Sequence, residues 1–80
     1  MPPISACVIT LNEEDNIGRI LDSLIYFTEI IVLDSGSTDK TLNIASTYKN
    51  VKIFTRKFDN YINQKNHCIS LSSNDWVLSL

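Results

Sequence analysis

Residues 30–39 read IIVLDSGSTD. Ile30 to Leu33 form an uninterrupted apolar run, with β-branched side chains at Ile30, Ile31 and Val32, and the run stops at Asp34. Such a run is the pattern of a strand covered on both faces, as in a parallel sheet between helices. Asp34 then stands at the carboxyl end of that strand, where open α/β sheets bind their ligands. Small polar residues follow, with Gly36 among them. Ser37 or Thr38 can cap a following helix, and Asp39 suits the positive end of its dipole. A buried strand, a carboxylate at its mouth, a small-residue loop and a helix start together point to a nucleotide pocket.

Working outward, Ile4 to Thr10 (ISACVIT) predicts a first strand. Asn12 is a good helix cap, and Glu13, Glu14 and Asp15 favour a helix amino end. Ile17, Ile20, Leu21, Leu24 and Ile25 recur at i, i+3, i+4, i+7 and i+8, so an amphipathic helix is predicted over 13–26. Gly18 within it costs up to about 1 kcal/mol relative to Ala. The second strand spans about 29–34. Leu42, Ala45 and Tyr48 predict a helix over 39–48 that Asn50 ends. Val51 to Thr55 (VKIFT) alternates and so predicts a less covered strand at a sheet edge. Phe58 to Ile69 reads as a third helix with Ile62, Lys65, Asn66 and Ile69 on one face, and Trp76 to Leu80 as a fourth strand. Strand–helix units repeated three times and closed by a strand predict a doubly wound α/β fold with a mainly parallel sheet.

Eighty residues allow one domain, in the size range that buries only about 60% of its unfolded surface. An apolar fraction of 44% is that of a globular chain, and a net charge of −2 with mixed signs leaves no footprint for nucleic acid or an anionic membrane. Cys7 and Cys68 are too few for a disulfide framework, and Cys7, within an apolar run, reads as a buried free thiol. Neither a signal peptide nor a run near the roughly 20 apolar residues of a membrane span is present in the sequence. A soluble domain of a reducing compartment is expected. The last residues, DWVLSL, are those of a strand with no tail, as in a fragment.

At the carboxyl end of the sheet the polar candidates are Thr10, Asn12 and Glu13 after the first strand and Asp34 to Asp39 after the second, Ser37 and Asp39 among them. A carboxylate at Asp34 can accept an N–H from a pyrimidine or guanine edge, or a ribose hydroxyl. Hydroxyls at Thr10 and Ser37 can hold ribose or phosphate, and Lys65 can offer its charge to a diphosphate. Each has a plainer reading. Asp34 alone is a turn-forming aspartate as often as a ligand group, 12–15 is a helix start, Ser37 to Asp39 is a cap, and Lys65 is a solvated lysine. His67 lacks the partners of a metal site, Cys68 lacks the surroundings of a reactive thiolate, Arg56-Lys57 is a solvated turn, and Trp76 belongs to a core.

The combination is more specific than its parts. The sequence resembles the amino-terminal half-domain of the family 2 glycosyltransferases, which are inverting enzymes of the glycosyltransferase-A fold. ISACVITLNEEDNI (4–17), IIVLDSGSTDKT (30–41), Gln64-Lys65-Asn66 and DWVLSL (75–80) carry the match. The resemblance covers essentially the whole chain and is nearest to the subgroup that builds lipopolysaccharide core and related surface glycans.

That resemblance implies a nucleotide-sugar donor, a glycan or lipid-linked acceptor and strand order 3-2-1-4. It implies that Thr10, Asn12 and Glu13 hold base and ribose, Asp34 recognises the base, Ser37 and Asp39 continue that loop, and Lys65 sits near the phosphates. A divalent metal, Mg or Mn, is implied for the full-length enzyme, at an Asp-x-Asp motif that would begin where this chain stops. The chain alone is therefore expected to bind no metal and to be inactive, and its open fourth strand to favour self-association. Through lipid-linked acceptors the resemblance also implies a cytoplasmic protein at the inner face of the membrane. Two rival readings are a dinucleotide-binding or flavodoxin-like module and a non-catalytic interaction domain. A Rossmann domain or a sugar nucleotidyltransferase would need a glycine-rich turn where this chain has Leu11-Asn12-Glu13-Glu14.

Overall fold

In the computed structural model, which describes residues 3–74 and 76–79, every residue of strand β2 (Glu29–Asp34) is buried. Strand β1 (Ile4–Thr10) lies beside it in parallel, with Thr10 paired to Asp34. Strand β3 (Val51–Thr55) borders β2 and strand β4 (Trp76–Ser79) borders β1, both parallel, so the sheet order is β3-β2-β1-β4. The predicted strands, their order and the α/β class are all observed.

Alternation along β1 and β2 divides the core. Ala6, Val8, Ile30 and Val32 face Ile17, Leu21 and Leu24 of the first helical segment and Ala45 of the second. Cys7, Ile31 and Leu33 point the other way, onto Cys68. Helices α1 (Ile17–Ser23) and α2 (Thr41–Ala45) therefore cover one face, and α3 (Tyr61–Ser70) covers the other. Right-handed crossovers require this: once the chain passes from β3 across to the far side of β1, its connecting helix must change face. Both cysteines are buried and unbridged, as expected for Cys7. β3 exposes Lys52 and Phe54 on its uncovered side, as its alternation predicted.

The helices are shorter than their sequence patterns. α1 begins at Ile17 because Asn12 takes a left-handed φ of 52° and no part in capping it, while Glu13 to Asn16 form only a turn. α2 begins at Thr41, and neither Ser37 nor Thr38 caps it; the Asp39 carboxylate accepts the Thr41 N–H instead, at 2.9 Å. α3 begins at Tyr61 because Asn60 accepts the Asn63 N–H at 2.9 Å, a side-chain cap. Its inward face is Gln64 and Cys68, with Leu71 beyond its end, whereas Ile62 and Ile69 are 74% and 41% exposed. The seven-residue isoleucine spacing marks a helix but not the side that packs. Asp75, Leu80 and the Trp76 side chain, expected in a buried strand, lie outside the described residues.

Candidate functional site

The carboxyl ends of β1 and β2 and the start of α3 enclose an open cleft of about 540 Å3, lined among others by Thr10, Glu13, Ser35 and Lys65. Phe58 and Tyr61 form a wall of it, packed edge to face with ring centroids 5.4 Å apart. Tyr61 and Lys65 are four residues apart on α3 and so share one side of the helix.

Behind the cleft, the two loops leaving β1 and β2 are tied together through polar side chains. The Asn12 N–H donates to Ser37 Oγ at 2.8 Å, and Asn12 Oδ1 accepts the Thr38 N–H at 2.8 Å. The Glu13 N–H donates to Thr41 Oγ1 at 2.8 Å and the Glu14 N–H to Asp39 Oδ2 at 3.2 Å. The Ser35 N–H donates to the Thr10 carbonyl at 3.0 Å. Thr41 also donates its hydroxyl proton to Asp39. Asn12 occupies the left-handed turn that a dinucleotide-binding domain would fill with glycine, and its side chain holds the opposite loop while it does so.

Asp34 is the hub. It is 0% exposed. Oδ1 accepts the Thr10 hydroxyl at 2.7 Å and the Ser37 hydroxyl, and Oδ2 accepts the N–H groups of Gly36 at 2.9 Å and Ser37 at 2.7 Å. A carboxylate offers about four lone-pair positions, and internal donors fill them here. Gly36 makes the tight return possible with a φ of 109°. Burial opposes ionisation of Asp34, but bonds from the Ser37 hydroxyl and N–H, the Thr10 hydroxyl and the Gly36 N–H outweigh it and hold the carboxyl below its ordinary value. For Asp39, too, a desolvation cost is outweighed by the bonds from Thr41 and Glu14, and its pKa is lowered.

Of the residues singled out by sequence, Thr10, Glu13 and Lys65 line the cleft. Asn12, Asp34, Ser37 and Asp39 form the lattice that shapes its rear wall. Asp34, for which base recognition was expected, is turned inward with its lone pairs taken, and the next residue, Ser35, lines the cleft. The hydroxyls of Thr10 and Ser37, expected to hold ribose or phosphate, are both donated to Asp34.

Sequence reading gave no site role of their own to Phe58, Tyr61, Gln64 and Arg56, and counted Ser35 only as one of the polar residues after the second strand. Arg56 is no solvated turn residue: its N–H extends the sheet onto the Asp34 carbonyl at 2.9 Å, and its guanidinium holds Asp59 at 2.9 Å and Gln64 at 2.8 Å. Arg56 in turn holds the Asp59 carboxyl well below the usual range. The four-residue spacing of Tyr61 and Lys65 was the one local signal available for this wall.

Among the described residues no group of three His, Cys, Asp or Glu is arranged to hold a metal ion. With Asp34 and Asp39 engaged internally, Glu13 is the one acidic side chain that lines the cleft. The side chains of the described residues do not make a cation site. No helix of the described residues is long and apolar enough to cross a membrane.

The sequence model of the family described as "Glycosyl transferase family 2" matches residues 5–80. An uncharacterized glycosyltransferase of Rickettsia typhi is 41% identical over 100% of this chain and 27% of its own length. A lipopolysaccharide core biosynthesis glycosyltransferase of Rhizobium meliloti is 32% identical over 98% of this chain and 30% of its own. Glucosyl-3-phosphoglycerate synthase of Mycobacterium tuberculosis, solved with Mn2+, UDP and glucosyl-3-phosphoglycerate, superposes with a TM-score of 0.81 at 27% identity, over 99% of this chain and 33% of that one. The chain thus spans about a third or less of the length of these relatives.

Proposed function

The chain belongs to glycosyl transferase family 2, and we propose that it is the donor-binding portion of an enzyme that moves a sugar from a nucleotide-sugar to a glycan or lipid-linked acceptor. The observation that carries this reading is the cleft itself. It opens at the carboxyl ends of two parallel strands, with aromatic rings on one wall and a lysine a helical turn away.

In this reading the flat nucleobase lies against Phe58 and Tyr61, which remain 42% and 68% exposed. Lys65 donates to the diphosphate as a compact positive charge. Thr10 and Glu13 border the ribose. Asn12, Asp34, Ser37 and Asp39 contribute by holding the two loops at a fixed separation. UDP and Mn2+ in the mycobacterial enzyme support a uridine donor, and the Rhizobium relative supports a role in cell-surface polysaccharide synthesis at the inner face of the membrane. The metal ligands and the base that takes the acceptor's proton are assigned to sequence outside these residues, so the 80-residue chain by itself is expected to be inactive.

Isothermal titration of the full-length protein with UDP, GDP and their sugars, with and without Mn2+, tests the reading. Lys65→Ala is expected to weaken diphosphate binding roughly 10-fold or more, and the gap should narrow at high salt because the wild type, whose lysine is then screened, loses affinity. Absence of binding by every one of these nucleotides would overturn the reading. A second expectation concerns β4, an edge strand with Leu78 44% exposed. Such edges pair with other chains, so the 80-residue chain alone should sediment as a dimer or larger species at high concentration, and a strictly monomeric profile would refute this.

A further inference from the structure

The two free thiols, Cys7 of β1 and Cys68 of α3, have no part in the cleft. Both are buried in the small core that α3 makes with the sheet, alongside Ile31 and Leu33. Cys7 is paired across the β1–β2 ladder with Ile31, which sets the two strands about 5 Å apart at that point. Cys68 Sγ donates to the Ile31 carbonyl at 3.7 Å. The Cys68 sulfur therefore sits over the Cys7–Ile31 pair, and the two thiols are in side-chain hydrogen-bonding contact.

The helix that carries one of them is lightly held. Of α3 only Gln64 and Cys68 are buried, while Ile62 and Ile69 turn outward. Little apolar surface is uncovered when such a helix lifts from the sheet, so it opens locally at less than the cost of global unfolding. Closed, neither thiol is a nucleophile, because burial pushes both up and Cys68 strongly so. Opening admits solvent to both, and closing returns the sulfurs to contact.

We propose that Cys7 and Cys68 are a latent redox pair, joined as a disulfide by a low-molecular-weight disulfide such as oxidised glutathione when α3 lifts. One protein thiol, as its thiolate, attacks a sulfur of the small disulfide and expels one small thiolate, leaving a mixed disulfide. The second protein thiolate attacks the cysteine sulfur of that mixed disulfide and expels the other small thiolate. Two protein thiols are oxidised, one small disulfide is reduced to two thiols, and the two cysteine protons end on them. In a reducing compartment the pair stays as thiols, and it bridges only when the glutathione pool turns oxidising. The bridge closes a loop of about 60 residues and fastens α3 to β1. Tyr61 and Lys65 of α3 and Thr10 at the end of β1 line the cleft, so the same bond fixes the helical wall relative to the strand end. The pair acts in this way whatever the cleft binds.

The test incubates the folded, full-length protein with oxidised glutathione, blocks remaining thiols with N-ethylmaleimide and maps the peptides by mass spectrometry. A linked Cys7–Cys68 peptide pair is expected. The thermal midpoint should rise by roughly 5 °C or more, and amide exchange in α3 should slow roughly 10-fold or more. Dithiothreitol should reverse all three. Cys7→Ala and Cys68→Ala should each leave the remaining cysteine as a glutathione mixed disulfide with no gain in midpoint. Where either variant fails to fold, as judged by circular dichroism, the peptide map and midpoint of the wild type decide alone. Thiols that stay free, mixed disulfides that never resolve in the wild type, or a bridge that forms only in urea would each overturn the inference. So would a bridge that lowers the midpoint, because the fold would then be holding the sulfurs apart. None of these outcomes touches the nucleotide titration, so the donor reading stands or falls separately.

Discussion

Asp34→Ala should unfold the chain, where Asp34→Asn should only weaken it. The alanine leaves two backbone N–H groups, of Gly36 and Ser37, and two hydroxyls, of Thr10 and Ser37, without their acceptor, the Thr10 bond being buried and the other three part-buried. Each buried donor left unpaired costs about 1–3 kcal/mol, so the loss is expected to be roughly 4 kcal/mol or more. That is most of the stability of a small domain, which is about 5 kcal/mol at the low end. Asparagine differs because the four donors are of two kinds. Its oxygen can take the place of Oδ2 and keep both backbone N–H groups, which cannot turn. Its NH2 then meets the hydroxyls of Thr10 and Ser37, which can rotate to accept. A loss of about 1–2 kcal/mol is expected. Urea denaturation followed by circular dichroism measures both, and two similar losses below about 0.5 kcal/mol would show that Asp34 does not hold the loops.

The second large effect lies at the opposite end of the sheet. Glu29 opens β2 and is 4% exposed. It accepts the Lys52 ammonium at 2.6 Å, the Ser5 hydroxyl at 2.9 Å, and the Ser73 N–H and hydroxyl at 2.9 and 3.0 Å. Burial raises its pKa, but the bonds from Lys52, Ser73 and Ser5 outweigh that and bring it from 4.5 down to about 2. A carboxyl whose folded pKa is depressed favours the fold above its unfolded pKa, and that contribution is lost as pH falls toward the folded value. About 3 kcal/mol is at stake for Glu29. It is present in full at pH 7 and lost progressively between about pH 4.5 and about pH 2. Glu29→Gln should remove that part of the acid dependence, so the stability lost between pH 7 and pH 3 should be about 2 kcal/mol smaller than in the wild type. The depressed pKa values of Asp34, Asp39 and Asp59 supply an acid slope common to both proteins. Identical pH profiles would mean that the Glu29 cluster contributes nothing. The same substitution loosens the link from β2 to Ser73 and so to the approach to β4.

How far the fold was legible follows from which signals are local. Ile30 to Leu33 could be only a strand covered on both sides, and VKIFT only a strand with one side open; both readings held. The helix boundaries did not, because caps are decided by which polar side chain reaches which N–H. Asn12 looked like a cap and became a left-handed turn held by Thr38. Asn60 drew no notice and caps α3. The inward face of α3 was misread because its buried positions are a glutamine and a cysteine, while its isoleucines face out. Gln64 is admissible there only because Ser35 and Arg56, 29 and 8 residues away, satisfy both ends of its amide.

By itself, then, the sequence determined the α/β class, the strands and the two loops that meet at the carboxyl edge, because apolar periodicity and strand propensity act over a few residues, while the strand order followed from the family resemblance. Tertiary structure alone decided which polar groups those loops spend on each other. Asp34 and Ser35 are adjacent in sequence, yet one is sealed among four donors and the other faces the cleft. The physical reason is that a buried carboxylate must have its lone pairs met, and the hydroxyl of Thr10 that meets one of them comes from a strand 24 residues away.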